Sequence, residues 1–150
     1  MASPGDAAAS DDLDAVIDDY HRALEAFVTG NPDPLRSVYS HRDDVTLANP
    51  FGPPRRGWAE VAETMTQAAA RYRDGVVVGF DQVTKYATPE LAYIVEVERY
   101  EAKVGGSEEM TPVSIRCTTI LRREEGGWNV VHRHADPITS ARAAESVIEN

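Results

Sequence analysis

Two histidines and a carboxylate lie close together near the C-terminal end of the sequence. Residues 126–137 read GGWNVVHRHADP, a Gly-Gly turn, an alternating run and a closing proline. This pattern is typical of a strand. Since successive strand side chains point to opposite faces, alternation places His132, His134 and Asp136 on the face that carries Trp128 and Val130. We expect the polar end of this face to border a pocket, where the imidazoles could transfer protons near neutral pH.

Two other interpretations of these residues stay open. Both histidines could be hydrogen-bonded structural residues, since histidine is often partly buried without being catalytic. His-x-His on a strand is also a workable pair of zinc or iron ligands, and Asp136 could be a third. Ligands on one straight strand rarely converge, however, so we expect no metal site and no cofactor.

Helical periodicity dominates the first half of the sequence. Apolar residues at spacings of three and four predict an amphipathic helix that begins at residue 11 or 12 and ends before residue 30. A short helix is predicted over 34–39, and a third helix runs from Trp58 to about residue 73. A short strand over 45–49 is closed by a Pro- and Gly-rich loop over 50–57. Residues 1–10 are small and polar, which predicts a disordered segment.

The periodicity changes to two after residue 75. Strands are predicted over 76–87, 91–104, 111–124 and 128–136. Helices followed by a meander of long strands predict an α+β fold, with the helices on one face of a curved, mainly antiparallel sheet. One domain is expected over 11–138, followed by a C-terminal helix or tail over 139–150.

Alternation in the two central strands predicts which side chains face the core. In strands 91–104 and 111–124 the odd positions are mainly apolar and the even positions mainly polar. A symmetric turn would place Glu98 opposite Arg116 as an exposed ion pair, worth at most about 1 kcal/mol. The expected inner wall then includes Tyr93, Val95, Val97, Arg99, Cys117 and Thr119.

Composition restricts the partners and the compartment. With 15 basic and 25 acidic side chains, the formal net charge is −10. An acidic surface repels phosphate groups, so nucleic acid and anionic membranes are not expected partners. The single cysteine excludes an internal disulfide and a multi-cysteine zinc site. The N-terminus does not resemble a signal peptide and no apolar run is long enough to span a bilayer, so a cytoplasmic protein is expected.

The order of these motifs resembles a known family. Helices, a strand that ends in NPFG at 49–52, a tryptophan-led helix and a meander that closes on WNVVHRH at 128–134 are similar to the nuclear transport factor 2-like superfamily. The similar branch holds ketosteroid isomerase and SnoaL-like polyketide cyclases, and the similarity covers about residues 11–138. The resemblance implies a cone-shaped α+β fold with a pocket between the helices and the concave sheet, usually in a homodimer.

Ketosteroid isomerase provides the sharpest comparison. It uses a tyrosine on the first helix, an aspartate base at the end of the first strand and a protonated aspartate on a later strand. The resemblance places Tyr20 at the position of the tyrosine, Asn49 at that of the base and Thr119 at that of the second aspartate. An amide cannot accept a proton near neutral pH, so steroid isomerisation by that mechanism is not expected.

The same resemblance places the histidines on the pocket side of the last strand, with His134 as the replacement base. His134, Tyr20 and Asp136 are then the catalytic candidates of an isomerase, lyase or cyclase that acts on a carbonyl-bearing aromatic or polyketide-like compound. A non-catalytic ligand-binding or dimerisation module is the alternative. The candidate ligand-binding residues are Asn49, Phe51, Trp58, Tyr93, Val95, Val97, Arg99, Cys117, Thr119 and His132.

Several of these candidates have simpler structural explanations. Arg99 could pair with an acidic side chain at the pocket rim, and Trp58 could anchor its helix against the strand. Tyr20 could be a core residue whose hydroxyl meets a backbone partner. Cys117 could pack as a small apolar group.

Overall fold

The structure, a computed structural model, describes residues 4–149, with side chains described from Asp12 onward. The described residues form three α-helices: α1 (Pro4–Phe27), α2 (Asp33–Val38) and α3 (Trp58–Ala69). The apolar stripe predicted for the first helix is confirmed, because its members at spacings of three and four are buried. They are Leu13, Ile17, Tyr20, Leu24 and Val28, the last lying just beyond the helix.

The first helix begins earlier than predicted. Residues 1–10 were expected to be disordered; residues 1–3 lie outside the described residues, but the chain is helical from Pro4. Alanines at 7–9 are strong helix formers, and proline is tolerated in the first turn because its missing N–H has no intrahelical partner there.

Six strands form a single sheet in the order β2-β1-β6-β5-β4-β3. All neighbouring strands are antiparallel except β1 and β6. The predicted α+β fold with a mainly antiparallel sheet is confirmed. The strands are β1 (Thr46–Ala48), β2 (Arg55–Arg56), β3 (Tyr72–Ala87), β4 (Leu91–Val104), β5 (Thr111–Glu124) and β6 (Gly127–Asp136).

The helices pack on one face of this sheet and enclose the core. Buried side chains of all three helices meet those of β4, β5 and β6 in one cluster. A second cluster joins the end of α1 to β3, β4 and β5. Trp128 belongs to the first cluster and is buried, as predicted for the inner face of the last strand.

The face predicted for β4 is wrong. Glu96 pairs with Cys117 and Glu98 with Ile115, one residue away from the expected register, and such a shift moves every side chain to the other face. The odd positions of β5 do face the core, as predicted. The buried residues of β4 have even numbers: Ala92, Ile94, Glu96, Glu98, Tyr100 and Ala102.

Four predicted inner-wall residues therefore lie on the outer face of the sheet. Arg99 donates a hydrogen bond from Nε to Asp81 at 2.5 Å. Pairing with an acidic side chain, the structural explanation given above for Arg99, is thus what the structure contains. Arg116 pairs with Asp136 at 2.8 Å instead of with Glu98. The displaced residues are Tyr93, Val95, Val97 and Arg99.

A β-bulge in β6 changes the face of its C-terminal half. Leu121 pairs with Val130 but Ile120 pairs with His132, so Val131 is an extra residue on β6. A bulge of one residue reverses the alternation beyond it. The side chains buried after the bulge are Arg133 and Ala135, not the histidines.

The edge strand β3 is interrupted by three register shifts against β4. The first contains Asp74, whose φ is 55°, and Gly75. The amide of Gly75 donates to the carbonyl of Val28 at 3.0 Å, and a Cβ at Gly75 would lie 2.3 Å from that oxygen. Only glycine permits so close an approach of two backbone segments.

The C-terminal tail contributes one 3-10 turn, η1 (Ala144–Val147), with no buried residue. Of the helix or tail expected over 139–150, the described residues form a tail with this one exposed turn. None of the helices in residues 4–149 is long and apolar enough to cross a membrane.

Candidate functional site

A cavity lies between α3, the end of β1 and the inner face of the sheet. It is narrow inside and opens to solvent at its mouth, and we call it the inner cavity. Most of its lining is apolar, from residues such as Leu35, Met65 and Ile115. The polar side chains in the lining are those of Asn49, Tyr72, Tyr100 and Arg133.

Arg133 forms a bidentate ion pair with Glu98 at the cavity wall. Nη1 donates to Oε2 at 2.5 Å and Nη2 donates to Oε1 at 2.7 Å. The Tyr100 hydroxyl donates to the same carboxylate at 2.6 Å. Because Glu98 is 0 % exposed, it requires such partners to stay charged.

The protonation states of this pair follow from its contacts. Burial alone would raise the pKa of Glu98, but the Arg133 guanidinium and the hydrogen bonds hold that pKa below its ordinary value. Burial lowers the pKa of Arg133, yet its neighbours Cys117 and Glu98 raise it well above the ordinary value. Both groups are therefore ionised at neutral pH, and the carboxylate is occupied by its partners.

Tyr20, Cys117 and Thr119 meet in a buried network next to Arg133. The Tyr20 oxygen accepts a hydrogen bond from Nη1 of Arg133 and lies 2.8 Å from Oγ1 of Thr119. The Cys117 sulfur accepts from the same Nη1 at 3.0 Å. Burial raises the pKa of Tyr20 well above its usual value and that of Cys117 to about 12, so both are neutral.

Asn49 and Phe51 line the inner cavity. Asn49 accepts a hydrogen bond at Oδ1 from the backbone N–H of Phe51 at 2.9 Å, which fixes the loop after β1. Trp58 is not in the lining. It stacks on His41 with ring centroids 3.8 Å apart, so anchoring of α3 is the explanation that the contacts support.

The prediction that His132 faces the pocket is wrong, because the bulge at Val131 moves it to the outer face. Its Nδ1 lies 2.7 Å from Oγ1 of Thr46 on the neighbouring strand. Partial burial, together with the nearby His134, lowers the pKa of His132. A structural hydrogen bond thus accounts for this residue.

His134 and Asp136 also lie on the outer face, away from the inner cavity. The His134 side chain is 55 % exposed, and its Nε2 lies 3.2 Å from Asp136. Asp136 accepts two hydrogen bonds from Nε and Nη2 of Arg116, at 3.0 and 2.8 Å. The geometry therefore gives no support to His134 as a base, or Asp136 as its partner, in this cavity.

Sequence reasoning missed Glu98 and Arg133, the two charged residues at the core of the site. Strict alternation assigns both to the outer face. Alternation alone carries no signal of the extra residue at Val131 that moves Arg133 to the inner face. Among the described residues, no group of three His, Cys, Asp or Glu side chains is arranged to hold a metal ion.

Comparisons with solved structures identify the fold. A nuclear transport factor 2-like protein from Salmonella enterica has a TM-score of 0.74 at 14 % identity, covering 91 % of this chain and 97 % of that one. A candidate dehydratase of the NTF2-like family from Streptomyces avermitilis has a TM-score of 0.71 at 16 % identity, with coverages of 89 and 99 %. A ketosteroid isomerase-like protein from Erwinia carotovora has a TM-score of 0.69 at 18 % identity, with coverages of 86 and 95 %.

At these identities the similarity shows the fold and not the activity. No match was found among curated proteins. The family model for the SnoaL-like domain matches residues 13–139, a span that includes all three helices' buried faces and the six strands of the sheet. The chain therefore belongs to the SnoaL-like domain family, and it shares its fold with nuclear transport factor 2-like proteins.

Proposed function

We propose that this domain binds a small, largely apolar molecule whose carbonyl oxygen accepts a hydrogen bond from Arg133. The observation that carries the proposal is a buried guanidinium in the wall of an otherwise mostly apolar cavity. Its Nη atoms donate to Glu98, Tyr20 and Cys117, whereas its Nε donates to no residue in the described part of the chain.

The charge balance favours a neutral oxygen at this position. Glu98 already compensates the charge of Arg133, so an anion beside the pair would meet the carboxylate as well as the guanidinium. A carbonyl oxygen accepts a hydrogen bond without adding a charge. Tyr72, whose pKa is raised by burial, supplies a second protonated group in the lining.

Binding without catalysis is the function that this geometry supports best. Isomerases and lyases that remove a proton from carbon need a general base. The residues that line the inner cavity include no carboxylate and no imidazole. Polarisation of a carbonyl by Arg133 is the feature that would still favour an isomerase, lyase or cyclase. The experiment therefore also measures catalytic turnover.

A matched pair of ligands tests the proposal. Acetophenone and ethylbenzene have similar shapes, but only acetophenone carries a carbonyl oxygen. A hydrogen bond to a charged donor predicts that acetophenone binds about tenfold tighter or more, as measured by calorimetry or by NMR titration. Equal binding of the two would contradict recognition by Arg133.

The double variant Glu98→Gln/Arg133→Met removes the pair without leaving a lone buried charge, and it should abolish the preference for acetophenone. Arg99→Met on the outer face is the matched control and should preserve it. Exchange of the acetophenone methyl hydrogens in D₂O, faster with protein than without it, would favour the enzymatic alternative.

We also propose that a second copy of the chain covers the outer face of the sheet to form a homodimer. Exposed apolar side chains cluster where β3 and β4 pair, and Tyr86 and Tyr93 stack there with centroids 5.7 Å apart. Tyr86 is 57 % exposed, Leu91 49 % and Tyr93 39 %. Exposed apolar clusters of this kind commonly mark protein interfaces.

A further inference from the structure

A second cavity adjoins the mouth of the inner cavity. It is open to solvent and lies between α3 and the loop after β1. The two cavities share Asn49, Phe51 and Ala68 in their linings. A ligand larger than the inner cavity would therefore extend into the second cavity past the Phe51 ring.

The second cavity differs from the inner one in its charge. Its polar lining includes Arg55 and Arg71, together with Thr64 and Gln67 of α3, and it includes no acidic residue. Neither arginine is within ion-pairing distance of a carboxylate in the described part of the chain, whereas most other arginines there are paired.

Two solvent-exposed arginines without an ion-pair partner among the described residues thus line one cavity of a chain whose net charge is −10. Like charges repel each other, and a cavity focuses their field on whatever enters it. Glu63 accepts a weak hydrogen bond from Gln67 at 3.4 Å but is not in the cavity lining. An anion in the cavity would balance both guanidinium groups.

Arg71 also contacts the residue between the two cavities. Its Cζ lies 4.8 Å from the centroid of the Phe51 ring, and Phe51 is 37 % exposed. A cation–π contact uses the charge of the guanidinium but not its hydrogen-bond donors, so the N–H groups of Arg71 remain able to bind an oxyanion.

We propose that the second cavity binds an anionic group, a carboxylate or a phosphate, of the ligand whose apolar, carbonyl-bearing part occupies the inner cavity. This inference rests on the function proposed above and narrows the ligand to a keto acid or a phosphate ester. Arg55 and Arg71 supply the charge-assisted hydrogen bonds that such oxyanions accept, and Thr64 and Gln67 supply further donors.

Four probes test this assignment: acetophenone, para-acetylbenzoate, the methyl ester of para-acetylbenzoate, and para-acetylphenyl phosphate. Calorimetry gives their Kd values for the wild-type chain, for Arg55→Gln/Arg71→Gln, and for Arg22→Gln, an exposed arginine on α1 that serves as control. We expect at least one anionic probe to bind about tenfold tighter than the methyl ester. The probe that does so shows whether the cavity binds a carboxylate or a phosphate.

The double variant should remove this preference while it still binds acetophenone, which also shows that it is folded. Arg22→Gln should keep the preference, and higher ionic strength should weaken it in the wild type. If acetophenone binds but the anions show no advantage, or if their advantage persists in the double variant, the second-cavity assignment is wrong and the proposed function stands. If no probe binds, both fail.

Discussion

Arg133 on β6 and Glu98 on β4 form a bidentate ion pair across β5, the strand that lies between them. The pair joins two strands that are not neighbours, and its Arg133 also lines the inner cavity. One contact thus contributes both to the sheet and to the candidate site.

Glu98→Gln should destabilise the domain by about 3–5 kcal/mol, because it leaves the buried charge of Arg133 without its counterion. Urea unfolding gives the free energy of unfolding. Asp81→Asn, which removes the counterion of the exposed Arg99, is the control and should cost less than about 1 kcal/mol. A similarly small loss for Glu98→Gln would show that the pair is dispensable for folding.

Trp128→Ala should destabilise the domain by about 3–5 kcal/mol, because the ring is buried in the main core cluster. Trp128→Phe retains most of the apolar contact, so its free energy of unfolding should fall clearly less than that of Trp128→Ala. Chemical unfolding of both variants measures the difference. A change below about 1 kcal/mol in the alanine variant would mean that the ring is not a core residue.

His134→Ala should change the free energy of unfolding by less than about 0.5 kcal/mol, as is usual for exposed side chains. It should also leave the Kd for acetophenone unchanged, because His134 lies on the outer face. Calorimetry and urea unfolding of one preparation test both statements. Loss of binding with stability intact would restore His134 as a candidate for the site.

His132 should make folding stability depend on pH. Its pKa is lowered in the folded chain, so below the ordinary histidine value of about 6.5 the unfolded chain binds more protons. The free energy of unfolding should therefore fall as the pH drops from about 6.5 through the folded pKa. NMR titration should give a lower midpoint for His132 in the folded protein than in urea; a higher folded midpoint would refute this.

Tyr93→Lys should convert the proposed homodimer to a monomer, because it places a charge in the exposed apolar cluster of Tyr86, Leu91 and Tyr93. Light scattering after size-exclusion chromatography measures the mass. Met110→Lys, an exposed apolar position in the turn between β4 and β5, is the control and should keep the wild-type mass. A monomeric wild type at high micromolar concentration would rule out the dimer.

The fold was predictable because its periodicities are strong and local. Leu13, Ile17, Tyr20 and Leu24 follow a helical spacing that requires one buried stripe. The limits of β4 and β5 match the predicted strands, since glycine- and proline-containing turns enclose each run. The local sequence pattern was sufficient to predict the helices and the long strands, and to predict that the helices pack on one face of the sheet.

The site was less predictable, because it depends on charged residues whose partners are distant in sequence. Glu98 is buried only because Arg133 neutralises it, and neither residue alone indicates that pairing. Alternation also cannot detect the single extra residue at Val131, which reverses every assignment after it. The resemblance, and not the periodicity, singled out Tyr20 and Asn49. Asn49 lines the inner cavity, whereas Tyr20 is buried beside Arg133 and is not in the cavity lining.

The three register shifts of β3 also affect how the protein can aggregate. A 16-residue edge strand with an unbroken row of free N–H and C=O groups would be a template for the strands of other molecules. The bulges divide that row into short pieces, and Asp81 and Lys85 place charges along it. Fibril-like growth through this edge is thereby disfavoured, which leaves contact through the sheet face as the easier route to self-association.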